Sequence, residues 1–86
     1  MITFGTKLRV MRALFKLRQA DLVRQTKLTR RDIALFENEW ALPTPQSQKI
    51  IEAVFNLDFD APEVEHAFQV LAGQGVAEPS AVEVSS

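Results

Sequence analysis

"RQADLVRQTKLTRRDIALFEN", residues 18 to 38, contains two short apolar-periodic segments with three residues between them. The first reads as a helix over roughly 18–26, with Leu22 and Val23 turned inward. In the second, over 30–38, Ile33 and Phe36 stand three apart, which keeps them on one helical face. Thr29 precedes this helix and Asp32 follows three residues on, close to a capping box. Only Lys27, Leu28 and Thr29 are left to connect the two. Helices joined so tightly form a helix-turn-helix, whose second helix can project into a DNA major groove.

Working outward, Leu8, Met11, Leu14 and Phe15 make an apolar stripe on a helix from Thr6 to about Lys16, with Thr6 as its cap. Ile2 and Phe4 precede it, in position to pack under its first turn. Downstream, "ALPTPQ" (41–46) carries two prolines and reads as a loop. A fourth helix begins at Pro45 or Gln46, carries Ile50, Ile51, Val54 and Phe55, and has Asn56 as its C-cap. "DAPEVE" (60–65) opens a fifth, with Asp60 or Ala61 at the cap and Pro62 in the first turn beside acids. Val64, Ala67, Phe68 and Leu71 line one face of it, and Gly73 ends it. The expected fold is all-α: a compact five-helix domain over 1–73, its helix-turn-helix at about 18–38. Residues 74–86 are small, polar and poor in core formers, and are expected to form a disordered tail.

Composition excludes several functions. The 86 residues make one small domain without cysteine, so there is no disulfide, thiolate zinc site or thiol nucleophile. No apolar run approaches a membrane span and no signal-peptide pattern opens the chain, so a soluble cytoplasmic protein is expected. His66 is the only histidine, on the polar side of the fifth helix. Asp58 and Asp60 form a D-x-D that no glycine-rich calcium loop follows, and Asp60 reads as a helix cap. With no catalytic constellation and no phosphate-binding glycine loop, neither an enzyme, a metal nor a cofactor is expected.

The net charge of −1 hides an asymmetry. Residues 1–31 hold nine Lys/Arg against one acid, Asp21, a net of +8; residues 32–86 hold Lys49 against ten acids, a net of −9. Polarity this sharp suggests a basic binding face, although the overall pI of about 5.7 is not that of a uniformly basic nucleic-acid binder.

The stretch "LRVMRALFKLRQADLVRQTKLTRRDIALFENEWALP" resembles the helix-turn-helix of phage repressor and Cro-like regulators, the XRE family. The features that carry the likeness are Arg12, "LRQADL", the spacing from Gln19 to Ile33, "FEN" and the proline that follows. With the last two helices it covers about residues 6–72 and implies a lambda-repressor-like fold. By this resemblance Arg30, Arg31 and Leu35 occupy base-reading positions. An arginine there can grip guanine O6 and N7 with two hydrogen bonds, and a leucine can touch a thymine methyl. Phosphate contact or plain solvation is the alternative for the arginines. Gln19 and Asn38 match phosphate-contacting positions, with Arg18, Lys27 and Thr29 adding to the backbone contacts. Helix capping is the rival role for Gln19 and Asn38. Arg12 and Glu37 match a partly buried ion pair tying the first helix to the third.

Three departures stand out. Lys27 replaces the usual turn glycine, and Val23 the usual alanine. Glu39, Trp40, Ala41 and Leu42 stand where a glycine-rich basic loop is common. Trp40 therefore reads as a packing or interface residue rather than a base stacker.

One recognition helix reads few base pairs, so the resemblance implies a homodimer on double-stranded operator DNA, with repression as the function. Phe59, Val64, Phe68 and Leu71 are candidates for either the core or a two-fold interface. The alternative is an antitoxin-like or protein-interaction module of the same fold, whose main partner is another protein.

Overall fold

A computed structural model describes residues 2–75. It contains five helices: α1 (Phe4–Phe15), α2 (Gln19–Thr26), α3 (Arg30–Glu37), α4 (Pro45–Phe55) and α5 (Pro62–Gly73). No strand occurs among the described residues, and none of the helices is long and apolar enough to cross a membrane. The all-α five-helix expectation holds. Most of the expected tail, from Val76 on, lies outside the described residues.

The first helix starts earlier than its sequence suggests. Thr3, not Thr6, is the N-cap, and its hydroxyl accepts the Thr6 N–H at 3.2 Å. The earlier start brings Phe4 into the first turn, where its ring meets Phe36 edge-on at 6.2 Å and Phe59 at 5.7 Å. Two aromatic contacts outweigh the small difference between two threonine caps. At the other end Lys16 turns left-handed (φ 55°), and Leu17 N–H reaches back to the Arg12 carbonyl, closing the helix as a C-terminal capping turn does. Leu14 and Phe15, expected inside, are 48% and 52% exposed, because the end of α1 overhangs the core. Phe15 keeps one edge-on contact with Phe55 at 5.1 Å.

The later boundaries follow local chemistry. Thr44 caps α4 by accepting from Ser47 N–H, Pro45 holds the first position, and Asn56 ends the helix at φ 54°. Ala61 is the α5 cap and makes no side-chain bond there. Asp60, expected as a cap, instead accepts from Gln48 Nε2 at 3.0 Å.

The core gathers one face of every helix. Leu8, Leu22, Ile33, Ile51 and Phe59 are completely buried, and Phe68 is 2% exposed. Phe59 meets Phe68 edge-on at 5.4 Å and stacks on Phe55 at 6.2 Å. Phe59 and Phe68 are therefore core residues and cannot form a two-fold contact. Val64 and Leu71 are partly buried and pack on the same core. The reason is that α5 has one apolar face, and α1 already covers it.

A buried lysine fastens that contact. Lys7 Nζ lies 2.7 Å from Glu65 Oε1, donates to the Phe59 carbonyl at 2.8 Å and sits 5.8 Å from the centre of the Phe68 ring. Glu65 Oε2 also accepts the Ile2 N–H at 3.0 Å. The Lys7 hydrogen bond and then the Ile2 N–H pull the Glu65 carboxyl from its ordinary 4.5 to about 2. A carboxylate depressed in the folded state contributes stability that is complete above its unfolded value and is lost as pH falls through the folded one. The gap in urea midpoint between the wild type and Glu65→Gln should therefore be wide at about pH 7 and narrow as pH falls from about 4.5 toward 2. A gap that stays constant over that range would mean that the pair does not form.

Candidate nucleic-acid interface

The two-helix unit is assembled as its spacing requires. The turn between α2 and α3 is residues 27–29, and Lys27 adopts the left-handed conformation (φ 65°, ψ 10°). Thr26, which the sequence reading passed over, shapes this turn. Its buried hydroxyl donates to the Leu22 carbonyl at 2.6 Å and accepts the Leu28 N–H at 3.2 Å. Leu28 packs on the core beneath. Because a side chain at positive φ is strained, Lys27→Gly should raise stability by about 0.5–1 kcal/mol, net of glycine's greater freedom in the unfolded chain. Chemical denaturation measures this directly, and a destabilised variant would show that the turn is not strained.

On its inner side α3 is locked in place. Ile33 is fully buried and Phe36 nearly so. Thr29 caps the helix: its hydroxyl accepts Asp32 N–H at 3.0 Å while Asp32 Oδ2 accepts Thr29 N–H at 3.3 Å. Glu37, 3% exposed, receives Arg12 Nε at 2.5 Å on one oxygen and Arg12 Nη2 at 2.9 Å on the other. Arg12 also donates to the Leu17 carbonyl at 3.0 Å. The expected pair is thus present, and fully rather than partly buried.

Two further groups join it that sequence spacing did not reveal. Gln19 Nε2 donates to Glu37 Oε1 at 3.0 Å, so the first residue of α2 is held by the last of α3. Arg9 donates to the Glu37 carbonyl and to Thr6 Oγ1. Arg9 stands three residues before Arg12 on the same helix, which alone does not name its partner, and nothing local links Gln19 to Glu37.

The outer side carries charge. Arg30 and Arg31 occupy the first turn of α3 and are exposed, as is Lys27. Among the described residues none of these three forms an ion pair. Arg18 differs. Asp21 accepts the Arg18 N–H at 2.8 Å, lies 3.7 Å from its guanidinium and also pairs with Arg24. The Arg18 N–H and then the two guanidinium charges hold the Asp21 carboxyl below its ordinary range. Leu35 is half-buried and lies outside the core cluster. Asn38 is exposed and ends α3, its Nδ2 donating to the Ala34 carbonyl at 2.9 Å.

The basic half is therefore less free than its net of +8 implies. Lys7 and Arg12 are buried in ion pairs and Arg9 is bound to α3. Among the described residues, the exposed cations of this half without an ion pair are concentrated around the turn and the start of α3, with Lys16 at the end of α1.

The acidic half has its own cluster. Carboxylate oxygens of Glu52, Asp58 and Asp60 lie within 4.8 Å of one another. They fasten the connection from α4 to α5. Glu52 Oε2 accepts from Phe59 N–H and Gln48 Nε2, each at 3.0 Å, and Asp58 Oδ1 accepts from Asp60 N–H at 2.9 Å. An open cleft of about 770 Å³ lies alongside, with Pro43, Pro45, Gln48, Lys49, Asp58 and Asp60 in its lining. No residue of α2 or α3 lines it.

Against family models, the curated proteins and the solved structures, the chain finds no match.

Proposed function

We propose that the chain is a sequence-specific DNA-binding regulator of the phage repressor and Cro-like kind, acting as a repressor in the cytoplasm. It binds operator duplex as a homodimer. Arg30 and Arg31 read base edges, with Leu35 beside them, while Gln19, Asn38, Lys27, Thr29 and Arg18 contact phosphate. The observation that carries the reading is the contrast between the two sides of α3. Its inner side is fixed by Ile33, Phe36 and the buried Glu37, and its outer first turn presents two arginines that form no ion pair among the described residues. A helix that reads bases needs both features, because a side chain that grips a base edge must be held in register by the domain behind it.

Selection from a pool of random duplexes supplies the test. Once a preferred site is recovered, Arg30→Ala or Arg31→Ala should cost about 1–3 kcal/mol on that site and relax preference at one position in each half-site. Gln19→Ala should weaken all sequences alike, since a phosphate contact carries no base information. At one fixed salt concentration, base readout survives as a difference between the preferred duplex and a random one. If both arginine variants lose the two in equal proportion, the first turn of α3 is an electrostatic anchor only.

A second reading, a protein-interaction module of the same fold, is favoured by the exposed Trp40 and Leu42 after α3. Failure of the selection to enrich any duplex would favour it.

A further inference from the structure

Gln19 opens α2 and Glu37 closes α3. Folding brings these residues, 18 positions apart, within hydrogen-bond distance: Gln19 Nε2 donates to Glu37 Oε1 at 3.0 Å. The same oxygen accepts Arg12 Nη2 at 2.9 Å, and the other accepts Arg12 Nε at 2.5 Å. A carboxylate bound to an arginine through both oxygens accepts hydrogen bonds and has no proton to donate. It therefore decides which way the Gln19 amide faces. The nitrogen must turn to Glu37, and the end-for-end flip open to a solvated glutamine is closed to this one. Glu37 is 3% exposed and packed between α1 and α3, so the anchor is a fixed one.

An amide nitrogen carries two hydrogens, and Glu37 takes one. Among the described residues the second hydrogen and the carbonyl oxygen of Gln19 have no partner. No side-chain nitrogen or oxygen without a partner is buried among these residues, so the oxygen end of the amide reaches solvent.

We propose that Glu37 is a positioning residue for the DNA contact of Gln19: by holding one N–H of the amide it presents the other to a backbone phosphate. The proposal rests on the DNA-binding reading, in which Gln19 meets phosphate. A phosphate oxygen, like the carboxylate, accepts, so one amide nitrogen serves both through its two hydrogens. The gain is in entropy. A free glutamine loses rotamer freedom when it grips a phosphate, whereas one fastened to Glu37 has lost it on folding. The bond has a second consequence. Glu37 belongs to the helix whose first turn carries Arg30 and Arg31, so the phosphate contact on α2 is tied to the helix that reads bases.

A double-mutant cycle on the full-length chain separates positioning from simple bracing of α2 against α3. Gln19→Ala is made in the wild type and in the Arg12→Met, Glu37→Leu background, which has no carboxylate at position 37 and whose folding circular dichroism checks. Affinity is read at one salt concentration on a duplex recovered by selection and on a random one. In the wild type Gln19→Ala should weaken both at least about tenfold, the size of a hydrogen bond to a charged group. In the second background the same replacement should cost almost nothing, because the amide there is already loose. Nitrogen–proton spectra of the wild-type Gln19 amide supply a second reading. One of its two protons should exchange slowly with water in the free protein, and added duplex should shift and protect the other.

Equal cost of Gln19→Ala in the two backgrounds overturns the proposal. So does no cost in the wild type, which leaves the bond as a brace between α2 and α3. If the double variant does not fold, the spectra decide. Protection of both protons on the duplex establishes the proposal, and a duplex that perturbs neither, or that releases the one held by Glu37, overturns it. A wild type that binds no duplex fails the DNA-binding reading, and the proposal with it. That outcome stands apart, because every other failure requires a wild type that binds.

Discussion

Replacing Glu37 with Gln should lower the stability of the fold by about 3–5 kcal/mol, whereas Glu39→Gln should be nearly neutral. The two acids are two residues apart and differ in everything that matters. Glu37 is 3% exposed and its oxygens accept from Arg12 Nε and Nη2 and from the Gln19 amide. Neutralising it strands the Arg12 guanidinium in the interior, where water cannot replace the lost partner. Glu39 is exposed. A small domain has only about 5–15 kcal/mol of stability in total, so the first change removes a large share of it. Urea titration followed by circular dichroism measures both. The double replacement Arg12→Met, Glu37→Leu should recover most of the loss, because removing both charges removes the stranded one. Equal small losses from Glu37→Gln and Glu39→Gln would show that the ion pair is solvated.

Gly5→Ala should destabilise by about 1–3 kcal/mol or more, against the intrinsic preference of helices for alanine. A Cβ at Gly5 would stand 2.4 Å from the Phe36 carbonyl oxygen, 3.1 Å from that of Glu37 and 2.9 Å from the Glu39 side chain. Two of these obstacles are backbone, so relief requires α1 and α3 to part. That movement would also loosen Arg9, which donates to the same Glu37 carbonyl. Gly73 supplies the contrast. Among the described residues nothing lies within 4 Å of a Cβ added there, so Gly73→Ala should be neutral or stabilising by up to about 1 kcal/mol. Melting temperatures that rise for both alanine variants would show that α1 and α3 do not approach so closely.

Much of the local structure was legible because it is decided by neighbours in sequence. Thr29 with Asp32, Pro45 as the first residue of α4, Asn56 as its end and Pro62 opening α5 each act over one helical turn. The Arg12–Glu37 pair was legible in another way, through resemblance, since nothing local links two residues 25 apart. The misreadings share one cause. Thr6 as cap and Leu14 and Phe15 as core were judgements about which apolar face meets which, and the choice left open for Phe59 and Phe68, core or interface, was of the same kind. Periodicity shows that a helix has such a face and is silent about what lies opposite it.

By itself, then, the sequence determined the five helices, the three-residue turn between α2 and α3, and the placing of Arg30 and Arg31 in the first turn of α3. Backbone capping and a 3.6-residue period act over a few residues, and a few residues suffice to read them. Only the tertiary structure decided which charges are free. Lys7 and Glu65 lie 58 positions apart, and their packing turns a lysine of the basic half into a buried fastening for α5. Gln19 is bound to Glu37 for the same reason. It likewise left Trp40 and Leu42 outside while Ala41 between them packs on the core. Burial depends on what the rest of the chain brings to a site, and that is settled only when the helices pack.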